Sequence, residues 1–519
     1  MPLRHNLPPP RLVLNDMVEN GGKLENGKKR KVMNPLSPRS TNCVFRLVRM
    51  VFAILAAALL AGCPDSTDRA NPALDVSIPV TLKVLVIEDR ELGEAAQRRW
   101  QAEGLGELQM AYQSAAEFRQ SEFSISADVD VLIYPERFQA DLLHRQLLLE
   151  IPWETWNSEQ VNKSDLLTHF RGSLMRQGDR YFALPLGGVN VVLMYRQDVL
   201  DALGTTPPTT WDELDQLLQR LTDADLPLDS NGQPLPRSIA LPLAEEWAGH
   251  LLLARAAASV RSAGKLSALF QVETMEPLIH TPPFIEALDG LRRMARHQMS
   301  EDTLQSPRDV FAAMVQGRAA LGIGWPTGGV EDLKSVQAEN IRVARLPGSL
   351  RVYDQSRTAW NNRAEHEPLH VDYLGIETRA VSVLRNSLYA TESLKLAAWL
   401  CSKRTSQQIS VFSVAHGPFR ASQLSDISRW TGEVLPPVAA DEFGQVIQVA
   451  HQAKLILTFP RIVGQSDYLA VLSDSIHSCL KDEQTAQGAL GVAAERWREL
   501  TSQIGNRVQR DFLRRGEGF

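Results

Sequence analysis

The sequence is poor in cysteine, which removes support for two classes of protein. Its 519 residues include four cysteines, Cys43, Cys63, Cys401 and Cys479, with no CxxC pair and no histidines at zinc-binding spacing. Neither a disulfide scaffold nor a zinc framework is therefore indicated, and we expect no metal and no cofactor. Whether Cys401 and Cys479 pair stays open, because an apolar, helix-like setting suits a buried thiol as well as a disulfide.

The chain after residue 50 has no excess of basic residues, and the sequence has no hydrophobic run long enough to span a membrane. The first 50 residues hold ten Lys and Arg against three Asp and Glu, which leaves 45 basic and 58 acidic residues in the remainder. An acidic body repels a phosphate backbone, so we expect no nucleic-acid partner. The apolar run at residues 51–60 (VFAILAAALL) is too short to span a bilayer.

That short run has the features of an export signal. Arg46 and Arg49 precede it, and it has the length of a signal-peptide core. Leu60, Ala61, Gly62 and Cys63 follow in an order that resembles the bacterial lipobox, in which the cysteine thiol receives a lipid. The alternative is an ordinary secretory signal followed by a chance cysteine.

These features divide the amino-terminal part of the chain. Residues 1–62 are predicted to be an extension plus a lipoprotein signal peptide, with the start codon open among Met1, Met33 and Met50. Residues 63–76 begin CPDSTDRANP, a composition typical of a flexible tether. We therefore expect an exported protein, lipid-anchored at Cys63 to a bacterial membrane and facing the periplasm or the cell exterior.

After the tether, β-branched runs alternate with a helical pattern. The predicted elements are a strand at residues 80–87, a helix at 90–103, a strand at 107–112 and a buried strand at 128–134. This βαβαβ pattern predicts a parallel sheet, whose ligands bind beyond the carboxyl ends of the strands. Those ends fall near Glu88, Asp89, Pro135 and Glu136.

The middle of the chain carries turn and capping signals. Gly187 and Gly188 predict a turn or crossing before a strand at residues 189–195 (VNVVLMY). Thr210 and Glu213 form a capping box, so a helix is predicted to start at Trp211.

These residues resemble a known family. The stretch 179–221 contains YFALP, YRQD and PPTTWDE in the order found in family 1 extracellular solute-binding proteins of ABC importers, the family of maltose-binding protein. Similar family patterns follow at residues 310–326 (VFAAMVQGRAALGIGWP), 394–408 and 417–420 (GPFR). The sequence departs from the family at YRQD, where Tyr-Asn-Lys-Asp is usual, and at Trp325-Pro326, which is in reversed order.

The resemblance implies an α/β, two-lobed periplasmic-binding-protein-like fold of class II. Each lobe would be a βα sheet layered with helices, with the ligand cleft at the hinge. By analogy, lobe one comprises residues 77–188 with 347–403, and lobe two comprises residues 189–346 with 404–519. The implied function is a monomeric substrate-binding lipoprotein that captures a small solute, most plausibly a carbohydrate, and delivers it to an ABC permease.

A sugar site needs flat aromatic surfaces and side chains that both donate and accept hydrogen bonds. Six residues at predicted loops or strand ends are candidates for such a site: Trp325, Trp247, Glu88, Asp89, Asn190 and Tyr373. The alternative for the tryptophans is core packing, and for the polar residues it is a loop cap. Carboxylates in the cleft would instead favour a cationic solute such as a polyamine.

The sequence contains one match to an enzyme motif, and its local context argues against a catalytic role. Residues 366–370 (HEPLH) satisfy the zinc-peptidase pattern, but Pro368 disrupts the helix that would place both histidines on one face. We therefore expect binding without catalysis. A lipoprotein that senses a solute for a membrane receptor is the alternative that the sequence does not separate from transport.

Overall fold

The computed structural model describes residues 80–172, 175–229, 232–261, 267–299, 306–327, 336–410, 417–432 and 434–518. The predicted extension, signal peptide and tether, and the predicted lipid attachment point Cys63, lie outside the described residues. Among the helices of the described ranges, none combines the length and the apolar character needed to cross a bilayer.

Strands and helices alternate through much of this chain. The strands are β1 (Leu82–Ile87), β2 (Leu108–Gln113), β3 (Val131–Pro135), β4 (Arg176–Gln177), β5 (Arg180–Tyr181), β6 (Leu184–Val189), β7 (Val192–Arg196), β8 (Ile239–Ala240), β9 (Leu321–Gly324), β10 (Ile341–Ala344), β11 (Arg351–Asp354), β12 (Ala359–Asn362), β13 (Asp372–Leu374), β14 (Ile376–Val383) and β15 (Ile456–Thr458). The helices up to the second sheet are α1 (Arg90–Ala102), α2 (Ala115–Gln120), α3 (Gln139–His144), α4 (Trp153–Trp156), α5 (Thr168–Arg171), α6 (Gln197–Ala202), α7 (Trp211–Asp223), α8 (Ala248–Val260), α9 (Pro282–Ala295) and α10 (Pro307–Val315). The later helices are α11 (Ala390–Cys401), α12 (Lys403–Ile409), α13 (Ala421–Leu424), α14 (Ile427–Thr431), α15 (Pro437–Gln452), α16 (Gln465–Leu480), α17 (Ala486–Ile504) and α18 (Asn506–Glu517).

The first sheet has the strand order β2-β1-β3-β14-β6. β1 runs parallel to β2 and β3, which confirms the predicted parallel βαβαβ unit. β14 enters the same sheet from much later in the chain and lies antiparallel to both β3 and β6. The start of β14 therefore meets the carboxyl ends of β1 and β3 at one edge.

The second sheet has the order β10-β7-β9-β8, with β7 antiparallel to both of its neighbours. Alternate residues of β7 enter different hydrophobic clusters: Val192 and Met194 pack in one, Leu193 and Tyr195 in the other. Both faces of this sheet are thus covered, by α10 and α15 on one side and by the cluster that includes α8, α9, α16 and α17 on the other.

The chain passes from one sheet to the other between β6 and β7, at Asn190 and Val191. Of the two predicted alternatives, the turn at Gly187 and Gly188 is not formed, because both glycines lie inside β6, whereas the crossing follows directly after that strand. They are needed there for space and conformation: Gly187 has φ +153°, and a Cβ on Gly188 would stand 2.8 Å from Cζ of Phe170. A register irregularity in the β6–β14 pairing occurs at the same place, as glycine in a strand often indicates.

The chain returns from the second sheet to the first through β11, β12 and β13. The β11–β12 hairpin and β13 pack against α8, and β13 pairs in parallel with β15. Gly375, with φ +89°, is the residue between β13 and β14, so the backbone enters the first sheet directly from β13.

Local predictions in the middle and late parts of the chain are confirmed. The Thr210 hydroxyl accepts from the Glu213 amide at 3.2 Å and Glu213 accepts from the Thr210 amide at 3.2 Å, and α7 begins at Trp211. Cys401 and Cys479 are buried free thiols, which answers the question that the sequence left open. Burial raises the pKa of the Cys401 thiol to about 11.

Arg420, from the predicted GPFR motif, is a fully buried cross-link. Its guanidinium donates to the carbonyl of Val161 at 2.8 Å, to the carbonyl of Cys401 at 3.1 Å and to Asp165 at 3.3 Å. One side chain thereby holds three separate segments together in the low-dielectric interior.

Candidate ligand-binding cleft

Charged side chains meet where β1 and β3 end and β14 begins. We call Glu88, Asp89, Arg137, Glu377 and Arg379 the charged group. Glu88 and Asp89 directly follow β1, Arg137 lies in the 3₁₀ turn Glu136–Phe138 after β3, and Arg379 pairs with the last residue of β3 in the sheet. The carboxyl ends of parallel strands are the usual ligand side of such a sheet.

Ion pairs link all five members of the charged group. Arg137 contacts Glu88 at 2.7 Å and also binds Glu377. Arg379, fully buried beneath them, reaches Glu377 at 2.6 Å and Asp89 at 3.2 Å. Asp89 has a second role, because its carboxylate accepts from the Leu92 amide at 3.3 Å and so caps α1.

Two carboxylates of this group stand on strained backbone. Glu88 has φ +71° and Glu377 has φ +47°, both in the left-handed region that is uncommon for residues other than glycine. Such strain costs on the order of 1–3 kcal/mol per residue and concentrates at ligand sites. The backbone here is held in place by the sheet and the arginines, so that both carboxylates face the same partners.

The arginines also fix the charge of Glu377. Burial alone would raise its pKa, but Arg137 and Arg379 outweigh burial and lower the pKa to about 2. Glu377 is therefore ionised at neutral pH, and it can accept hydrogen bonds only.

Aromatic side chains gather on the second-sheet side. We call Trp247, His250, Trp325 and Tyr373 the aromatic group. Trp247 precedes α8 and its ring lies 5.3 Å from that of Trp325, edge to face. Trp325 follows β9 and is buried, with 4% of its surface exposed, whereas Trp247 is half-buried. Trp247 thus presents the accessible ring, and Trp325 supports it from within.

His250 and Tyr373 form the polar part of the aromatic group. The Tyr373 hydroxyl and His250 Nδ1 are 2.9 Å apart, and both side chains are buried. Burial lowers the pKa of His250 to about 4, so the imidazole is neutral at pH 7. A neutral imidazole and a phenol both donate and accept, which suits recognition of hydroxyl groups.

One stretch of backbone joins the two groups. Tyr373 of the aromatic group and Glu377 of the charged group are four residues apart, on either side of Gly375. Glu377 and Arg137 also act on the pKa of His250, in opposite directions and less than burial does. Glu246, on the second-sheet side, has its pKa raised by partial burial of its carboxyl and by the like charge of Glu88.

The structure places each of the six predicted site residues in or beside this region. Glu88 and Asp89 are in the charged group, and Trp247, Trp325 and Tyr373 are in the aromatic group. Asn190 is buried at the crossing between β6 and β7. Their roles in ligand binding stay predictions.

Sequence reasoning missed Arg137, Glu377, Arg379, His250 and Glu246. A signal for the first existed, since the predicted end of β3 at Pro135 and Glu136 is adjacent to Arg137. No comparable signal marked Glu377, because its proximity to Glu88 depends on the late insertion of β14 into the first sheet.

No three His, Cys, Asp or Glu side chains within the described ranges lie together as a metal site would require. Residues 366–370 (HEPLH) contain no helix, in agreement with the effect predicted for Pro368.

Comparisons with known proteins agree with this architecture. Residues 149–350 match the family described as bacterial extracellular solute-binding protein. A comparison with proteins of curated function finds no match.

Three solved structures illustrate the likeness in fold. A solute-binding protein of an ABC transporter from Agrobacterium radiobacter K84, in complex with ribitol, has a TM-score of 0.60 at 16% identity, with 81% of this chain and 98% of that chain covered. Maltose-bound MalE3 of T. maritima has a TM-score of 0.57 at 16% identity, with 81% and 99% covered. The sugar-binding protein MalE from Xanthomonas citri has a TM-score of 0.60 at 15% identity, with 82% and 98% covered.

The chain is therefore an α/β protein with the two-lobed fold of periplasmic binding proteins, in which each of the two main sheets forms the centre of one lobe. Its predicted resemblance to the family 1 extracellular solute-binding proteins is confirmed by the match of residues 149–350.

Proposed function

We propose that this protein is the substrate-binding subunit of an ABC importer and that it captures a small carbohydrate or sugar alcohol between its two lobes. The observation that carries the proposal is the segment from Tyr373 to Glu377, which joins an aromatic surface on lobe two to a charged, hydrogen-bonding surface on lobe one. Solute-binding proteins of the same fold are described with ribitol, D-mannitol and maltose.

Each surface has a distinct task in the proposed site. The half-buried ring of Trp247 offers an apolar face for a sugar ring, and Trp325 holds that ring in place. Glu88, Arg137 and Glu377 present charged acceptors and donors for hydroxyl groups, and charged hydrogen bonds are the stronger kind. Tyr373 and His250 add neutral groups that both donate and accept.

The remaining two predicted residues, Asp89 and Asn190, are proposed to position other groups and not to contact the ligand. We assign Asp89 a positioning role, because its carboxylate is occupied by the α1 cap and by Arg379. Asn190 lies in the two-residue crossing, where a small backbone rotation changes the angle between the lobes. Hinges of this kind are a few residues at the ends of elements.

The proposed mechanism is closure around the solute. A ligand that contacts the aromatic group and the charged group together binds the closed state better than the open state, so it shifts the population toward closure. The closed form is the form that we expect the permease to recognise. The cycle in this subunit requires neither catalysis nor a cofactor.

The predicted lobe boundaries are retained as part of the proposal, with one refinement. Packing of the β11–β12 hairpin and β13 against α8 favours a return to lobe one near Gly375 and not at Pro347. Export and anchoring through Cys63, and a monomeric state, complete the proposal and rest on the sequence.

A thermal-shift screen of the purified protein tests the ligand class. The panel contains mannitol, ribitol, monosaccharides, maltose and a polyamine. We expect a sugar or sugar alcohol to raise the melting temperature, since a hundredfold excess over the dissociation constant stabilises the native state by about 2.7 kcal/mol.

Two tryptophan variants locate the binding site. Trp247→Ala is expected to abolish the shift, whereas Trp153→Ala, which removes an exposed tryptophan beside Lys163, is expected to leave it unchanged. An equal loss in both variants, or no loss in Trp247→Ala, contradicts the assignment of the cleft.

A polyamine is the second candidate solute. The charged group contains three carboxylates against two guanidinium groups, and Glu246 adds a fourth carboxylate nearby. A shift with spermidine and none with any sugar would retain the cleft and replace the ligand class.

A further inference from the structure

The last helix of the described chain, α18, contacts both lobes. It packs against α17 on the lobe-two side and against β4 on the lobe-one side. β4 and β5 form a short antiparallel hairpin that belongs to lobe one. The Ile151 amide donates to the Tyr181 carbonyl of β5 at 2.8 Å, and the nearby Leu149 amide donates to Val383 of β14 at 2.9 Å. α18 therefore links the lobes at a place other than the crossing segments.

The lobe-two end of this link is buried and fully hydrogen-bonded. Leu513 is buried in the hydrophobic cluster that also contains residues of α16 and α17. The side-chain amide of buried Gln509 donates to the Val463 carbonyl at 2.8 Å and to the Tyr468 hydroxyl at 3.1 Å, and its oxygen accepts from the Val463 amide at 3.0 Å. Separating α18 from lobe two would leave these polar groups and an apolar surface without partners.

The lobe-one end of the link rests on backbone carbonyls of the helix. The Gln177 side chain donates to the Phe512 carbonyl at 3.2 Å, and the Gly178 amide donates to the Arg515 carbonyl at 3.0 Å. Gly178 presents this amide from the tip of the β4–β5 hairpin, with φ +64°. The last four carbonyls of a helix have no partner within the helix, so the backbone of lobe one satisfies one of those of α18.

Charge also favours contact between the hairpin and the helix end. Nη2 of Arg176, in β4, would stand 3.1 Å from a Cβ placed on Gly518, directly after α18. A cation is stabilised at the carboxyl end of a helix, where the peptide dipoles leave partial negative charge. On the other strand of the hairpin, Arg180 instead pairs with Glu150 at 3.5 Å. The two arginines of one hairpin thus have different partners.

α18 lies beside another contact between the lobes. The Gly464 amide, next to the Val463 that holds Gln509, donates to Asp141 of α3 at 3.0 Å. The ring of His144, also in α3, is 6.1 Å from the ring of Phe512. The helix therefore extends an interface in which the carboxyl-terminal part of lobe two reaches lobe one.

We propose that α18 is an interlobe strap, fixed on lobe two and detachable from the β4–β5 hairpin of lobe one, which limits how far the lobes move apart. A rotation at the crossing segments changes the distance between the hairpin and lobe two. The contacts of Arg176, Gln177 and Gly178 with α18 must then either hold or break. The inference rests on the two-lobed fold and not on the identity of the solute.

Double electron–electron resonance measures the distance between the lobes. Spin labels are attached at Gln101→Cys on α1 and at Gln219→Cys on α7, both exposed positions, one on each lobe. The full chain carries Cys43→Ser and Cys63→Ser, and the two buried free thiols are left in place. The solute-free protein is compared with variants of the hairpin.

The variant Arg176→Glu with Gln177→Ala weakens the detachable end of the strap. We expect the width of the interlobe distance distribution to increase about twofold, because the lobes then sample more separations. The Gly178 amide should exchange with deuterium about five- to tenfold faster, since it loses the hydrogen bond to Arg515. Gln177→Ala alone, which removes one hydrogen bond, should change both measurements in the same direction by less.

Arg180→Glu is the matched control, because it reverses a charge in the same hairpin at a side chain that pairs with Glu150. We expect it to change neither measurement, and circular dichroism shows whether each variant is folded. Faster exchange at Gly178 with an unchanged distance distribution overturns the proposal, since the helix would have detached without effect on the lobes. Unchanged exchange in the double variant rejects the hairpin as the point of attachment, and equal changes in Arg180→Glu contradict a specific contact.

Discussion

Buried arginines are the residues that do most to connect distant segments in this molecule. Arg379 binds carboxylates from the ends of two elements, and Arg420 binds two carbonyls and a carboxylate. The planar guanidinium suits these tasks because its five N–H donors point in fixed directions.

At the scale of single residues, we expect Arg420→Ala to lower the free energy of unfolding by about 2–5 kcal/mol, since two buried carbonyls lose their side-chain donor at about 1–3 kcal/mol each. The carbonyls of Val161 and Cys401 lose this donor, whereas Asp165 keeps the hydrogen bonds from the Ser422 amide and hydroxyl. Urea denaturation followed by circular dichroism measures the change.

Arg404→Ala is the control for this prediction. Arg404 is largely exposed and approaches Glu103 only at 3.7 Å, so its loss should change stability by about 0.5 kcal/mol or less. Similar destabilisation by the two variants would argue against a special role for the buried Arg420.

The sequence predicted part of the site at this scale. Glu88 and Asp89 follow a recognisable buried strand, and Trp247 and Trp325 stand at predicted loops. Glu377 and Arg379 lack such a local signal, because their neighbours are fixed by the pairing of β14 with β3 and not by nearby residues. Ion pairs between distant segments are a property of the tertiary structure.

At the scale of elements, features set by neighbouring residues could be predicted from the sequence, whereas features set by packing between distant segments could not. The Thr210 capping box fixed the start of α7, since both of its hydrogen bonds form between residues three apart. The two glycines before β7 predicted a turn or a crossing, and the pattern did not show that they lie inside β6, because glycine also serves where strands and neighbouring segments approach closely. Only the structure shows that Phe170 and Gly417 occupy the space beside Gly188.

The close approach of Gly417 to β6 gives a prediction at the element scale. A Cβ on Gly417 would be 2.3 Å from the carbonyl oxygen of Gly188, so backbone must move to admit it. We expect Gly417→Ala to lower the free energy of unfolding by about 1–3 kcal/mol, the usual effect of overpacking. Thermal and urea denaturation measure it.

The contrasting variant is Gly491→Ala. Gly491 lies within α17, and a Cβ there would meet no atom within 4 Å. The substitution should stabilise the protein by up to about 1 kcal/mol through helix propensity. A Gly417→Ala variant as stable as Gly491→Ala would show that the crossing accommodates a side chain.

At the scale of the whole molecule, the proposed signal peptide and lipobox predict where the protein is located. We expect Cys63→Ser to move the protein from the membrane fraction to the soluble exported fraction, because the thiol proposed to accept the lipid is lost. Fractionation and labelling with an alkyne fatty acid measure the change in the cells that express it.

Cys43→Ser serves as the matched control, since Cys43 precedes the apolar run and has no small residues before it in lipobox order. Fatty-acid labelling that persists in Cys63→Ser would reject Cys63 as the attachment point. Labelling absent from the unaltered protein would favour an ordinary secretory signal.

The discontinuous first sheet has a consequence for secretion. Val131 of β3 pairs with Val383 of β14, and Asp372 of β13 pairs with Ile456 of β15. Sheets assembled from such distant segments have high contact order and fold slowly. The entropy of closing long loops is lost before the non-local contacts can stabilise the chain. We therefore expect a nascent chain of this kind to leave both lobes incomplete until most of it has been synthesised, which favours the unfolded state that translocation requires.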